Sequence, residues 1–231
     1  MLLGARQMFL GTSHGGINMM PLIDRTITTI PNANDVLSIG AFAFAGCTEF
    51  VSSDFPNCTF AGIAAFWACH KLKSIDLPLM TETTPLQDPV FGNAGWGNIS
   101  FCGGSGVENV RLNSMRVMPY NFFAWSYDLK TVHIDSCVEL NDIPFQACNS
   151  LTDIYCPNLT TLAGRTFGYL GNISGVLNIH CDNRTTSQIL SMSLSSHFGN
   201  TPQTAWNRFL FIGYDGTVSW DGSDWIVTPN A

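Results

Sequence analysis

The chain has 231 residues, 45% of them hydrophobic and only 12% charged, with a formal net charge of −7. Length and apolar content allow one large domain or two small ones around a real core, and exclude wholesale disorder. The acidic balance, with no Lys/Arg cluster, lacks the basic footprint of a nucleic-acid binder and disfavours anionic membranes.

The opening stretch, MLLGARQMFLGTSHGGINMM, has short apolar pieces broken by Arg6, Gln7 and Gly15–Gly16. It lacks the continuous ~7–15-residue apolar region of a secretory signal, so classical secretion is not expected. No apolar run approaches the ~18 residues of a membrane span. Residues 1–26 read as an N-terminal segment or cap. ITTIPN, from Ile27 to Asn32, reads as the strand half of a truncated first repeat.

Phe44 then sets the origin of a repeat. Matching aromatics follow at Phe66, Phe91, Phe123, Phe145 and Phe167, spaced 22, 25, 32, 22 and 22. Five residues before each Phe stands an apolar residue: Ile39, Ala61, Leu86, Met118, Leu140 and Leu162. Six after stand Phe50, Leu72, Leu129, Leu151 and Ile173, and nine after stand Ser53, Ile75, Val132, Ile154 and Val176. Phe55, Leu77, Ile134 and Cys156 follow at eleven. The third repeat fits if ten residues are inserted between Asn93 and Gly106, after which Val107, Val110 and Leu112 fill the columns.

The alternation at +9 and +11 predicts a short strand with those positions inward and +8, +10 and +12 outward. Stacked repeats would pair these strands into a parallel sheet over a continuous core. Pro56, Pro78 and Pro157 sit at +12, where proline ends the ladder. The Ala-Phe-x-x-Cys segment predicts a helical or 3-10 turn on the far side, too short for an independent helix.

Six of the eight cysteines occupy repeat columns shared with apolar residues: Cys47, Cys69, Cys148, Cys58, Cys137 and Cys156. They are expected to pack in the core as small hydrophobes. Disulfides between stacked repeats stay open, with reduced thiols favoured; no C-x2-C pair suggests zinc, and no metal is expected. Cys102 and Cys181 are the two expected to be exposed. The five histidines form no catalytic or metal-binding spacing, and GGSG (Gly103–Gly106) lacks the Lys-Ser/Thr of a phosphate loop. No acid–base pair or nucleophile constellation emerges, so no enzyme and no cofactor are expected.

TTSQILSMSLSSHF has a loosely helical spacing, and the strands FLFIG, TVSW and DWIVT are separated by the turn signals YDGT and WDGS. DGSD (Asp221–Asp224) lacks the spacing and closing Glu of a calcium loop. The expected organisation is a repeat region over residues 27–182 followed by a terminal cap or docking module over 183–231.

The patterns IGAFAFAGCTEF, AGIAAFWACHKLKSIDLP and IPFQACNSLTDIYCP resemble the BspA-type leucine-rich repeats of bacterial and protist surface proteins. The resemblance runs from about Ile27 to Ile179. It implies a repeat solenoid, a right-handed β/3-10 winding with a parallel sheet, here capped by a C-terminal helix and β-hairpin. It implies a binding role, often in adhesion, and no catalytic residues. A shorter likeness, in MLLGARQMFLG and the closing GYDGTVSWDGSDWIV, is to tail-associated proteins of gut phages and prophages. Virion or cell-surface localisation follows as the expectation.

Binding to a protein or glycan should then use the outward columns. The +10 column reads Asp54, Asp76, Arg111, His133 and Tyr155, beside Ser52, Ser74, Asn109, Thr131 and Asp153 at +8. An ordinary solvated sheet face would look the same. A second candidate is the insertion, with Trp96 and Phe101 on a Gly-rich loop, though these aromatics could equally tuck over the core. Trp67, Trp125 and Tyr127 flank the Phe turn as a third surface. A structural role in a larger assembly, including a homo-oligomer, is the alternative.

Overall fold

The structure, a computed structural model, describes residues 26–30, 33–51, 54–81, 83 and 100–231. Phe91 and Trp96 lie outside the described residues.

Each repeat contributes two short strands. The strands before the Phe turn are β1 (Ser38–Ile39), β2 (Phe60–Ala61), β5 (Val117–Met118), β7 (Glu139–Leu140) and β9 (Thr161–Leu162). The strands after it are β3 (Ser74–Asp76), β4 (Asn109–Arg111), β6 (Thr131–His133), β8 (Asp153–Tyr155) and β10 (Leu177–Cys181). The terminal part adds α1 (Thr186–Leu190), β11 (Phe209–Gly213), β12 (Gly216–Trp220) and β13 (Trp225–Pro229). The main sheet has eight strands in the order β13-β12-β11-β10-β8-β6-β4-β3. It is parallel from β3 to β11 and antiparallel across β12 and β13. The first set forms a three-stranded sheet, β5-β7-β9, and a separate β1-β2 pair, both parallel.

The register explains the apolar columns. Ile75, Val110, Val132, Ile154 and Ile179 stand opposite one another, and all are buried. On the second ladder Met118, Leu140 and Leu162 do the same. Before the first full repeat, Val51 N–H donates to Thr28 O (3.0 Å), and Ile27 and Ile30 pack on the core.

Two expectations about register are corrected. Phe101, not Phe91, fills the third Phe position: it precedes Val110 by nine residues, as Phe66 precedes Ile75 and Phe123 precedes Val132. Its ring packs edge-on against Phe66 at 5.3 Å and stacks on Phe122 at 4.7 Å. The extra residues therefore precede the turn, and spacing from Phe101 onward is a regular 22. In the sixth repeat Ile179 takes the inward place expected for Val176, which is 49% exposed. Three further residues before β10 shift the column.

The far side is a chain of hydrogen-bonded turns rather than a helix. Ala43 donates to Gly40 O, Ala45 to Phe42 O and Cys47 to Phe44 O, each three residues back. Left-handed residues interrupt it two before and two after the Phe: Ala64 and Ala68, Asn121 and Trp125, Ile143 and Ala147. Such conformations cost roughly 1–2 kcal/mol at a non-glycine residue. They are held because they turn alternate N–H groups toward the next rung: Phe44 to Ala65 O, Phe123 to Pro144 O and Trp125 to Gln146 O, at 2.8–2.9 Å.

All eight cysteines are free and buried, including Cys102 and Cys181, so the expected exposure of those two is corrected. The repeat gives Cys a reason beyond size. Cys69 Sγ donates to Phe44 O and Cys148 Sγ to Phe123 O, each at 3.0 Å across one rung. Burial pushes the thiols of Cys58 and Cys137 up to about 11, and those of Cys69 and Cys102 up to about 12. In GGSG, a side chain on Gly106 would collide with the carbonyl of His70, so the motif serves close backbone approach.

The terminal part extends the same core. The helix α1 begins with a capping box between Thr185 and Gln188 and buries Ile189. Phe198, Trp206, Trp220 and Trp225 gather at centroid distances of 4.7–6.2 Å beside Phe209 and Phe211. DGSD is a side-chain-closed turn: Asp221 Oδ1 accepts from Ser223 and Asp224 N–H at 2.8 and 2.9 Å.

Phe101→Ala is expected to cost about 3–5 kcal/mol in urea unfolding, the range for a buried Phe truncation. A cost under about 1 kcal/mol would show that Phe101 is not part of the spine. The thiols should be silent toward Ellman's reagent near pH ~8 in the native protein and react on denaturation, because buried thiols stay protonated.

Candidate functional site

The outward column of the main sheet carries the chemistry. Asp54 bridges to Asp76, and Asp76, Arg111, His133, Tyr155, His180 and Ile212 follow in register, one per strand. Neighbouring strands lie about 4.8 Å apart, so in-register side chains must stack or splay. Here the rings stack. His133 and Tyr155 lie 4.3 Å apart with planes 1° from parallel, and Tyr155 and His180 lie 4.1 Å apart at 8°. Rings stacked along the sheet turn their edges to solvent, so this surface offers N–H and O–H groups rather than a flat aromatic face.

The parallel column two residues earlier holds Ser74, Asn109, Thr131, Asp153, Asn178 and Leu210. Asp153 is fully engaged: its Oδ1 lies 2.9 Å from His180 Nε2 and accepts from Asn178 Nδ2 at 3.1 Å. Burial works against ionisation there, but the bonds from His180, Thr152 and Asn178 together hold the carboxyl below its ordinary value. Burial lowers the pKa of His133, and the charge of Arg111 lowers it further. Burial raises that of Asp76, with Arg111 opposing and Asp54 adding to the shift.

A second charged ladder borders the strip. Glu108 accepts from Lys73 at 2.9 Å and from Lys130 at 2.7 Å, and these two bonds pull its carboxyl down to about 2. The strip therefore grades from acidic (Asp54, Asp76) through cationic and aromatic (Arg111, His133, Tyr155, His180) to aliphatic (Leu210, Ile212).

Of the residues singled out from sequence, Asp54, Asp76, Arg111, His133 and Tyr155 are brought together in one line. Phe101 is not with them: it is 1% exposed, in the core, because it heads a repeat. Trp96 lies outside the described residues. Trp67 and Tyr127 are exposed on the turn side, away from this strip, and Trp125 is half-buried there. His180 was missed, yet a signal existed: Ile179–His180–Cys181 repeats the pattern of Ile154–Tyr155–Cys156. No group of three or more His, Cys, Asp or Glu side chains fit to hold a metal occurs among the described residues.

Comparison with known families places this geometry. The model described as BspA type Leucine rich repeat region matches in six copies over residues 24–101 and 96–191. No curated protein and no solved structure matches the chain.

The pKa of His133, followed by NMR, should lie below that of an ordinary histidine (~6.5), and Arg111→Gln should raise it part of the way. A wild-type value at or above ~6.5 would show that the ring is not desolvated in the stack.

Proposed function

The chain belongs to the BspA-type leucine-rich repeat family, and on that premise we propose that it is a recognition module whose sheet face binds a partner. Repeats of this family generally mediate protein binding or adhesion and act without catalysis. The finer reading is a right-handed β/3-10 solenoid over residues 27–182, preceded by an N-terminal segment over 1–26 and closed by a cap over 183–231 that ends in a helix and β-hairpin. The partner is a protein or glycan, in host-cell adhesion or at a phage tail.

One observation carries this: the in-register strip Asp54–Asp76–Arg111–His133–Tyr155, extended by His180, concentrates ionisable and aromatic groups on one face. A merely solvated face needs no parallel ring stack 4.1–4.3 Å apart. Asp76, Arg111, His133, Tyr155 and His180 each sit on a strand of the main sheet, and Asp54 bridges to its edge. Pre-organised side chains lose less entropy on binding.

A second reading, a structural component of a larger assembly, is favoured by β13. This edge strand leaves Ile226 (42%) and Val227 (40%) exposed, and an open apolar edge invites pairing with another chain.

The double substitution His133→Ala/Tyr155→Ala should leave circular dichroism unchanged and lower binding to cells or to a glycan array at least tenfold. Trp67→Ala should leave binding intact. Unchanged binding in the folded double variant would remove the strip as the site. Light scattering separates the second reading: an oligomer dissolved by Val227→Lys supports it, and a monomer removes it.

A further inference from the structure

The charges of the strip are unevenly satisfied, and this specifies what should lie against them. Of the five ion pairs among the described residues, none includes Asp54, Asp76 or Arg111. Arg111 stands beside Asp76 in register and its charge opposes the shift of that carboxyl, but no ion pair closes between them, and the other nearby counter-ions are taken. Asp153 is held by His180 and Asn178, and Glu108 by Lys73 and Lys130. Asp76 Oδ1 is buried with no hydrogen-bond partner. The strip thus presents two partly answered demands side by side: two carboxylates, Asp54 and Asp76, facing the single cation Arg111, and an acceptor for the donors of Arg111, His133 and Tyr155.

Resting on the reading of the strip as the binding face, we infer that its partner is a protein segment carrying a basic side chain and a carboxylate close together, laid in extended form across strands β3 to β8. The centres of the two demands lie about two and a half strand spacings apart, roughly 12 Å. An extended chain advances about 3.3 Å per residue, so the two partner charges fall roughly two to four residues apart. A polyanion, such as an acidic glycan or nucleic acid, would meet Arg111 but be repelled by Asp54 and Asp76 in a chain of net charge −7. A neutral saccharide answers neither demand. The carboxylate would sit on Arg111 and His133, where Asp135, Asp153, Tyr155 and His180 are the other titratable neighbours.

The test is selection of a random heptapeptide display library on the immobilised full chain. Enriched peptides should carry Lys or Arg with Asp or Glu two to four residues away, in one consistent order. Synthetic copies should lose at least tenfold in affinity on Arg111→Gln and on Asp76→Asn. The exchange Asp76→Arg/Arg111→Asp, checked for folding by circular dichroism, should lower affinity for the selected peptides at least tenfold. Peptides without such a pair that still fail to bind His133→Ala/Tyr155→Ala would overturn this inference and leave the strip standing as the site. Peptides that bind that double variant undiminished would overturn both. No enrichment, or binding of heparin or sialyllactose in place of peptide, would overturn the inference.

Discussion

Everything in this molecule depends on one hydrogen-bonded spacing, that of a parallel strand to its neighbour in the next repeat. Each 22-residue unit is too small to bury its own apolar face. Pairing β3 to β4, β6, β8 and β10 in register places Ile75, Val110, Val132, Ile154 and Ile179 in one continuous row. The Phe turns repeat the arrangement on the far side, with Phe44 on Phe66 at 5.3 Å and Phe123 on Phe145 at 5.7 Å. Left-handed alanines and a left-handed Trp125 are tolerated because leaving the rung bonds unmade would cost more.

The same spacing that builds the core also composes the surface. In a parallel in-register sheet, whatever stands at one position in each repeat is forced into contact with its counterparts. Inward, that produces the apolar row. Outward, it produces the His133–Tyr155–His180 stack and the like-charged neighbours Asp54 and Asp76. The surface chemistry is thus a linear list, read one residue per strand, with little freedom for side chains to avoid one another. That is why the order of charged and aromatic groups along the strip is fixed by the register of the strands. The cysteines answer to the same geometry from inside, where a thiol is small enough for the core and still donates to a carbonyl one rung away.

Much of the fold was legible because its period is local and redundant. Ile39, Ala61, Met118, Leu140 and Leu162 repeat one requirement, so a single noisy position does little harm. Where redundancy failed, reading failed. Phe91 and Phe101 both lie near the third turn, and only the pairing of Val110 with Ile75 and Val132 shows which one counts. A fixed offset of nine points to Val176 and passes over Ile179, because three extra residues precede β10, and His180 drops out of the column with it.

By itself, the sequence determined the repeat, the inward and outward columns, and hence five of the residues now found in line, because these follow from the period of two along a strand and the period of 22 along the chain. It also determined that no charge cluster for nucleic acid was present. Only the tertiary structure decided which Phe heads the third repeat, that Phe101, Cys102 and Cys181 lie inside, and that two imidazoles enclose one phenol. Those outcomes depend on register between strands distant in sequence. A shift of one or three residues changes which side chains meet, and nothing local to either segment records the shift.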